Sequence, residues 1–107
     1  MKKQYRLKKN WEFEDVINAR QGNFVSNRYL IIYFKKRKNF AAGITVPKKF
    51  AKAVGRNFFK RQLRAIMHEL NLYHLKYHFV LIVRKEFMKE DFAIKKQHIA
   101  KLFEKFK

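Results

Sequence analysis

Residues 47–70 read PKKFAKAVGRNFFKRQLRAIMHEL, and the way this stretch folds decides how the rest of the chain is arranged. It is expected to form one basic helix with two faces. At 3.6 residues per turn, Phe59, Leu63, Ile66 and Leu70 fall together at i, i+4, i+7 and i+11, a stripe fit to face a core. Arg56, Asn57, Lys60, Arg61, Arg64 and His68 gather on an adjoining arc with no acid among them, while Glu69 points elsewhere. Side chains four apart on a helix are neighbours, so Arg56, Lys60 and Arg64 repel one another. A solvated basic face is the bland reading. The unbroken sign, and an Asn set among the arginines, point instead to contact with a polyanion. Lys48, Lys49 and Lys52 lie at or before the expected helix start, where free backbone amides add to the attraction for anions.

Composition agrees. The 107 residues suit one domain with a modest core. Lys and Arg number 27 and Asp and Glu 8, so the net charge is 27 − 8 = +19. Such a chain repels itself and binds phosphate backbones with strong salt dependence. From Val16 to His68 there is no Asp or Glu, so the middle of the chain carries the most positive surface. Hydrophobic residues make up 48%, too many for a disordered basic tail. The twelve Phe and five Tyr must mostly fill the core, and any left exposed suit stacking on unpaired bases. With no Cys there are no disulfides or thiolate metal sites, and a cytoplasmic address is the simplest expectation. Met1-Lys2-Lys3 is followed by no apolar run of signal-peptide type, and the stretch Tyr29 to Phe34 is too short to span a bilayer, so no membrane partner is expected.

Taken in order, residues 1–9 read as a basic, extended arm. Asn10 is expected to cap a first helix, with Glu12, Glu14 and Asp15 near its positive end and Phe13, Val16 and Ile17 as its apolar face. That helix is expected to end near Arg20, before Gln21-Gly22-Asn23. Phe24 to Phe34 reads as a strand, with Leu30, Ile32 and Phe34 on one face and Tyr29, Ile31 and Tyr33 on the other. Both faces are therefore covered, or one is a binding surface. Lys35-Lys36-Arg37-Lys38-Asn39 is an all-basic turn, and Phe40 to Val46 is expected to return as the second strand of a hairpin. Ala41, Ala42 and Gly43 are small enough for another group to approach closely. Phe79 to Val83 reads as a buried strand. Asp91 is expected to cap a last helix that buries Phe92, Ile99, Leu102, Phe103 and Phe106. The order is α-β-β-α-β-α, a single α+β domain with a central sheet packed by helices.

Residues for catalysis are scarce. Glu12 and Asp15 share a helix face, but compensation of the helix dipole accounts for them. His74 and His78 lack a third metal ligand, and Ser26, the single serine, has no His or acid beside it in sequence. A self-sufficient enzyme finds no support. The pattern also argues against helix-turn-helix DNA reading, because the basic helix follows a strand and Pro47. Phe13, Ile17 and Tyr33 are candidates for a second surface, although Phe13 and Ile17 fit the core equally well.

Val46-x-Lys48-Lys49, followed by Ala53-Val54-x-Arg56-Asn57-x-x-Lys60-Arg61-x-Leu63-Arg64, is similar to the signature of the bacterial ribonuclease P protein subunits. Arg6-Leu7-Lys8-Lys9 with Phe13 ahead, Asn27-Arg28 before a strand, and Phe79-Val80-Leu81-Ile82-Val83-Arg84-Lys85 extend the resemblance over nearly the whole chain. It implies a ribonucleoprotein that cuts the 5′ leader from precursor tRNA. The RNA subunit is the catalyst, acting through Mg²⁺ that it holds itself. The protein, inactive alone and with no metal or obligate protein partner of its own, grips the leader and raises affinity for substrate and metal. The implied fold includes a short extra strand and a left-handed β-α-β crossover, against the usual hand. Carried over by position, Lys48, Lys49, Lys52, Arg56, Asn57, Lys60, Arg61 and Arg64 contact the RNA subunit. Phe13, Ile17, Ser26, Arg28 and Tyr33 line the leader cleft. The chain departs from the family pattern at Pro47, where Ser is common, and at Ala51-Lys52, where Gly-Asn is common. Phe58 stands for a frequent Arg and Ile17 for a frequent Phe. The rival readings are a ribosomal or chaperone-like RNA binder without a catalytic RNA partner, and a metal-dependent protein nuclease.

Overall fold

The computed structural model describes residues 3–19 and 23–106. The chain runs α1 (Asn10–Ile17), β1 (Phe24–Ser26), β2 (Leu30–Lys36), β3 (Ala41–Thr45), α2 (Ala53–Glu69), β4 (Tyr77–Val83) and α3 (Phe92–Phe103), with 3₁₀ turns at Lys3–Tyr5, Lys85–Met88 and Glu104–Phe106. It is the α+β arrangement expected, a four-stranded sheet with three helices. The sheet order is β1-β2-β4-β3. β4 is the most continuous apolar run, and it takes an inner position, with Phe79, Leu81 and Val83 fully packed on one face and Val80 covered on the other.

The expected β2–β3 hairpin does not form. β2 pairs antiparallel with β4, and β3 pairs with β4 in parallel, so β3-α2-β4 is a crossover unit. The alternation of residues is the same for either partner, and the inner place goes to the strand with the stronger apolar run. The expected strand from Phe24 to Phe34 is two strands. Asn27 Oδ1 accepts the amides of Tyr29 and Leu30 at 2.9 and 3.0 Å, turning the chain so that β1 pairs back on β2. Tyr29 therefore leaves the alternation: it lies in the main core, its hydroxyl donating to Glu90 at 3.1 Å.

The two faces of the sheet carry different cores. Leu30 and Ile32 of β2, Ile44 of β3 and Phe79, Leu81 and Val83 of β4 join Leu63, Ile66 and Met67 of α2 and Ile99, Leu102 and Phe103 of α3. On the other face, Val80 and Ala41 pack with Leu7 and with Val16 of α1, rimmed by Phe13, Ile17, Tyr33 and Ile82. Within α3, Phe92 stays exposed, whereas Lys95 is buried. The Lys95 ammonium donates to Gln62 Oε1 of α2 and sits 4.2 Å from the Phe87 ring centroid, an aromatic and amide seat that holds α3 to α2.

The helix starts also differ from expectation. α2 begins at Ala53, not Pro47: Phe50 N donates to Pro47 O at 3.1 Å, forming a separate turn, and Lys52 is the extended cap residue. In α1 the cap position is Lys9 rather than Asn10, and Glu12 reaches back to accept the amides of Lys8 and Lys9 at 3.0 and 2.8 Å. α1 stops at Ile17, and the expected break at Arg20, Gln21 and Gly22 lies outside the described residues, as do Met1 and Lys2 of the arm. The arm is docked rather than extended into solvent. Tyr5 stacks on Tyr73 at 4.5 Å, Leu7 is buried, and Leu7 N donates to Ala42 O at 3.0 Å along the outer edge of β3. Among the described residues, no helix is long and apolar enough to cross a membrane.

Candidate nucleic-acid interface

Burial of Leu63, Ile66 and Met67 fixes the rotation of α2 about its axis, and the basic arc follows from that rotation. Asn57, Arg61 and Arg64, at i, i+4 and i+7, line a groove of about 390 Å³ with Val54. Lys60 and Arg64 line a second, of about 420 Å³, with Arg6, Lys8, Phe13 and Gly43. Arg64 is shared by both. Its pKa is pushed down, first by burial and then by the nearby charge of Arg6. Its Nε is buried and meets no acceptor among the described residues. Two arginines sharing one concave, acid-free wall are in mutual repulsion that an anion would relieve. Lys48, Lys49 and Lys52 are exposed just before α2. Arg56 uses one donor on Ala51 O at 3.0 Å, which braces this approach to the helix. His68 leaves the arc: its Nδ1 lies 2.9 Å from the Tyr73 hydroxyl.

The second surface is the sheet face under α1. Strand pairing places Phe24, Tyr33, Val80 and Gly43 in one row across the sheet, and Ser26, Ile31, Ile82 and Thr45 in the next. α1 crosses the first row. An ideal Cβ on Gly43 would lie 2.3 Å from Phe13 Cζ, so the absent side chain makes room for the ring. Asn23 Nδ2 donates to Val16 O at 2.6 Å and to Phe34 O at 3.3 Å, tying the end of α1 to β2. Lys35 Nζ meets Asp15 Oδ1 at 2.8 Å and Arg37 meets Asp15 Oδ2. These ties hold Phe13, Ile17 and Tyr33 as one half-buried rim, with exposed Ser26 on the same face. Arg28 stands apart in the turn between β1 and β2, its charge felt by Glu90 and the Tyr29 hydroxyl.

Glu12 and Asp15 of α1 are occupied. Hydrogen bonds from the amides of Lys9 and then Lys8 hold the Glu12 carboxyl below its ordinary pKa, and Lys35 and then Arg37 do the same for Asp15. No three His, Cys, Asp or Glu among the described residues gather as a metal cage. His78 faces Asn39 with Nε2 3.3 Å from Oδ1, and burial lowers its pKa.

Sequence reasoning missed several members of these surfaces. Arg6 and Lys8 join the α2 groove because the arm docks on β3, which no local pattern announces. Ile31, on the face of Tyr33, was visible by alternation. Ile82 was hidden in the unbroken apolar run from Phe79 to Val83, and Phe24 joins Tyr33, at 5.6 Å between rings, only through the β1 turn.

Fold and surfaces together define a small basic α+β RNA-binding protein. The family profile described as Ribonuclease P matches residues 1–107, and the chain belongs to that family. It is 52% identical over 107 residues to the ribonuclease P protein component of Mycoplasmopsis synoviae, covering 100% of this chain and 94% of the relative. It is 47% identical over 108 residues to that of Mycoplasmopsis pulmonis, covering 100% and 96%. The RNase P protein of Thermotoga maritima superposes with a TM-score of 0.81 at 26% identity, over 95% of this chain and 97% of the other. A Staphylococcus aureus RNase P protein mutant, described as defective in mRNA degradation activity, superposes at 0.82 with 25% identity, over 95% and 87%.

Proposed function

We propose that the chain acts as the protein subunit of ribonuclease P, gripping the catalytic RNA with α2 and the 5′ leader of precursor tRNA with the face under α1. The observation that carries the first half is the convergence of Asn57, Arg61 and Arg64 on one groove, on a helix whose opposite side is locked by Leu63 and Ile66. Planar guanidinium groups match phosphate oxygens in pairs, and the acid-free wall adds a salt-dependent attraction. Lys48, Lys49, Lys52, Arg56 and Lys60 extend the same positive strip. The second half rests on the rim of Phe13, Ile17 and Tyr33 with the uncovered row Ser26, Ile31 and Ile82. An aromatic and aliphatic floor of this kind takes unstacked bases rather than a duplex.

The hydrolytic chemistry is assigned to the RNA subunit with its Mg²⁺. Glu12 and Asp15, the acids that share a face of α1, are already engaged, Glu12 by backbone amides and Asp15 by Lys35 and Arg37. The protein's part is to hold substrate and RNA and to screen their charges, so that fewer free cations are required.

The test is reconstitution. The protein is mixed with a bacterial ribonuclease P RNA, and cleavage of precursor tRNA is followed as Mg²⁺ is lowered. Cleavage at Mg²⁺ levels where the RNA alone fails supports the reading. No gain over RNA alone contradicts it. Degradation of RNA by the protein alone, abolished by mutating Glu12 and Asp15, would favour a nuclease of its own.

A further inference from the structure

Among the described residues, Asn23 and Lys95 are the amide and the ammonium that the fold buries. Lys95 joins α3 to α2. Asn23, 7% exposed, stands just before β1 and beside the last turn of α1. Its backbone is fixed to β2, because Phe34 N donates to Asn23 O at 3.0 Å. Its side chain then spans a gap: Nδ2 donates to Val16 O at 2.6 Å and to Phe34 O at 3.3 Å. Both partners are carbonyl oxygens, so the amide must face them with its nitrogen. Val16 precedes Ile17, on the α1 side of the cleft, and Phe34 follows Tyr33, on the sheet side. One nitrogen thus ties the two sides of the cleft together.

α1 has little else to fix its pose. It is eight residues long, about 12 Å, and a helix so short is not stable on its own. Val16 is its one buried residue. Asp15 adds ion pairs to Lys35 and Arg37, but these side chains are between 30% and 38% exposed, where water and salt screen the charges. Asn23 is shielded from both. Val16 O belongs to the last turn of the helix, whose carbonyls lack an intrahelical partner, and Ala19 N reaches it only at 3.4 Å. The Asn23 amide is therefore its good donor. A hydrogen bond sets distance and direction, whereas apolar contact is non-directional.

We infer that Asn23 is a positioning residue for the leader cleft. It holds Ile17 and, one turn earlier, Phe13 at the separation from Tyr33 that admits an unpaired base, and it touches no RNA itself. The inference rests on the reading that the face under α1 takes the 5′ leader.

The holoenzyme, reconstituted with a bacterial ribonuclease P RNA, is assayed on precursor tRNA, and binding of precursor and mature tRNA is measured beside it. Asn23→Leu is close in size and removes both donated bonds. It should raise KM for precursor tRNA about tenfold, weaken precursor binding to the same extent, and change kcat and mature tRNA binding less than twofold. Asn23→Thr keeps one donor and should lie between, at about threefold. Ile99→Val trims the core on the other face of the sheet, which lowers stability without touching α1. It should keep the wild-type ratio of precursor to mature affinity. A ratio unchanged in both Asn23 variants overturns the inference, as does an equal loss on both RNAs or the same loss in Ile99→Val. If Asn23→Leu does not fold, the threefold shift in Asn23→Thr decides. A wild-type holoenzyme that does not favour precursor over mature tRNA contradicts the leader reading itself, an outcome distinct from all of these.

Discussion

The ring of Phe13 occupies the space in which any side chain on Gly43 would stand, with Cζ 2.3 Å and Cε2 2.4 Å from an ideal Cβ position. A helix residue and a strand residue thus share one volume, and the cleft under α1 depends on the glycine. Phe13 is half-buried and can swing toward solvent, so the Gly43→Ala variant should lose about 1 kcal/mol, the low end for overpacking. The larger effect falls on the rim. Binding of precursor tRNA should weaken while binding of mature tRNA holds. A melt together with the two binding isotherms checks this. A variant that binds both RNAs as the wild type does would show that the Phe13 ring has no part in the cleft.

Tyr33 stands beside Phe24 in the same row and keeps part of its ring open. Base stacking on an aromatic ring contributes roughly 1–3 kcal/mol per base. Tyr33→Ala should therefore reduce affinity for precursor tRNA by about tenfold or more, and should leave mature tRNA almost unaffected. Equal losses on both substrates would assign Tyr33 to the support of the fold.

Local periodicity made some of this legible and could not reach the rest. The stripe Leu63 and Ile66 and the arc Asn57, Arg61 and Arg64 were readable because both depend only on the helical repeat, and burial then confirmed the division into two sides. Met67, buried beside Ile66, widens the core side of α2 beyond the four-residue stripe. The partner of β3 was not readable: Ala41 to Thr45 alternates identically whether it pairs with β2 or, as it does, in parallel with β4. That choice is settled by packing across the whole sheet. Nor does any short-range signal show that Arg6 comes to rest near Arg64, since 57 residues separate them and the docked arm joins them. The smallness of Ala41, Ala42 and Gly43 signals room for a close approach, and the arm and Phe13 are the groups that fill it.

The clasp between α1 and β2 should show itself in pH dependence. Asp15 is held below its ordinary carboxyl pKa by Lys35 and Arg37. The folded state therefore binds this proton less readily than the unfolded one. The stabilisation is complete above a pH of about 4 and is lost as pH falls through the depressed folded value. His78 is held below the ordinary imidazole pKa, chiefly by burial and then by Arg37. The unfolded state takes that proton first, so stability begins to fall as pH drops below about 6.5. In melts from pH 8 to pH 3, His78→Gln should flatten the upper part of the decline. Asp15→Asn should make the acid part shallower, with Glu12 and Glu90 supplying what remains. An acid limb unchanged by Asp15→Asn would mean that the ion pairs do not hold α1 down.

The account stands or falls on the two sides of α2, which Leu63 and Arg61 separate within a single turn. Leu63 is fully buried, and Leu63→Ala should cost about 2–5 kcal/mol of stability. Arg61 is exposed, and Arg61→Ala should leave the melting temperature nearly unchanged, or raise it slightly by easing the crowding of like charge. It should weaken binding to the RNA subunit and lower the log–log salt slope by about one contact, while Arg61→Lys restores the slope with only part of the affinity. The deciding measurement is a salt titration of RNA binding by Arg61→Ala beside its thermal melt. The account predicts a wild-type melt with a reduced slope. A protein that unfolds, yet binds per folded molecule with the wild-type affinity and slope, would contradict it.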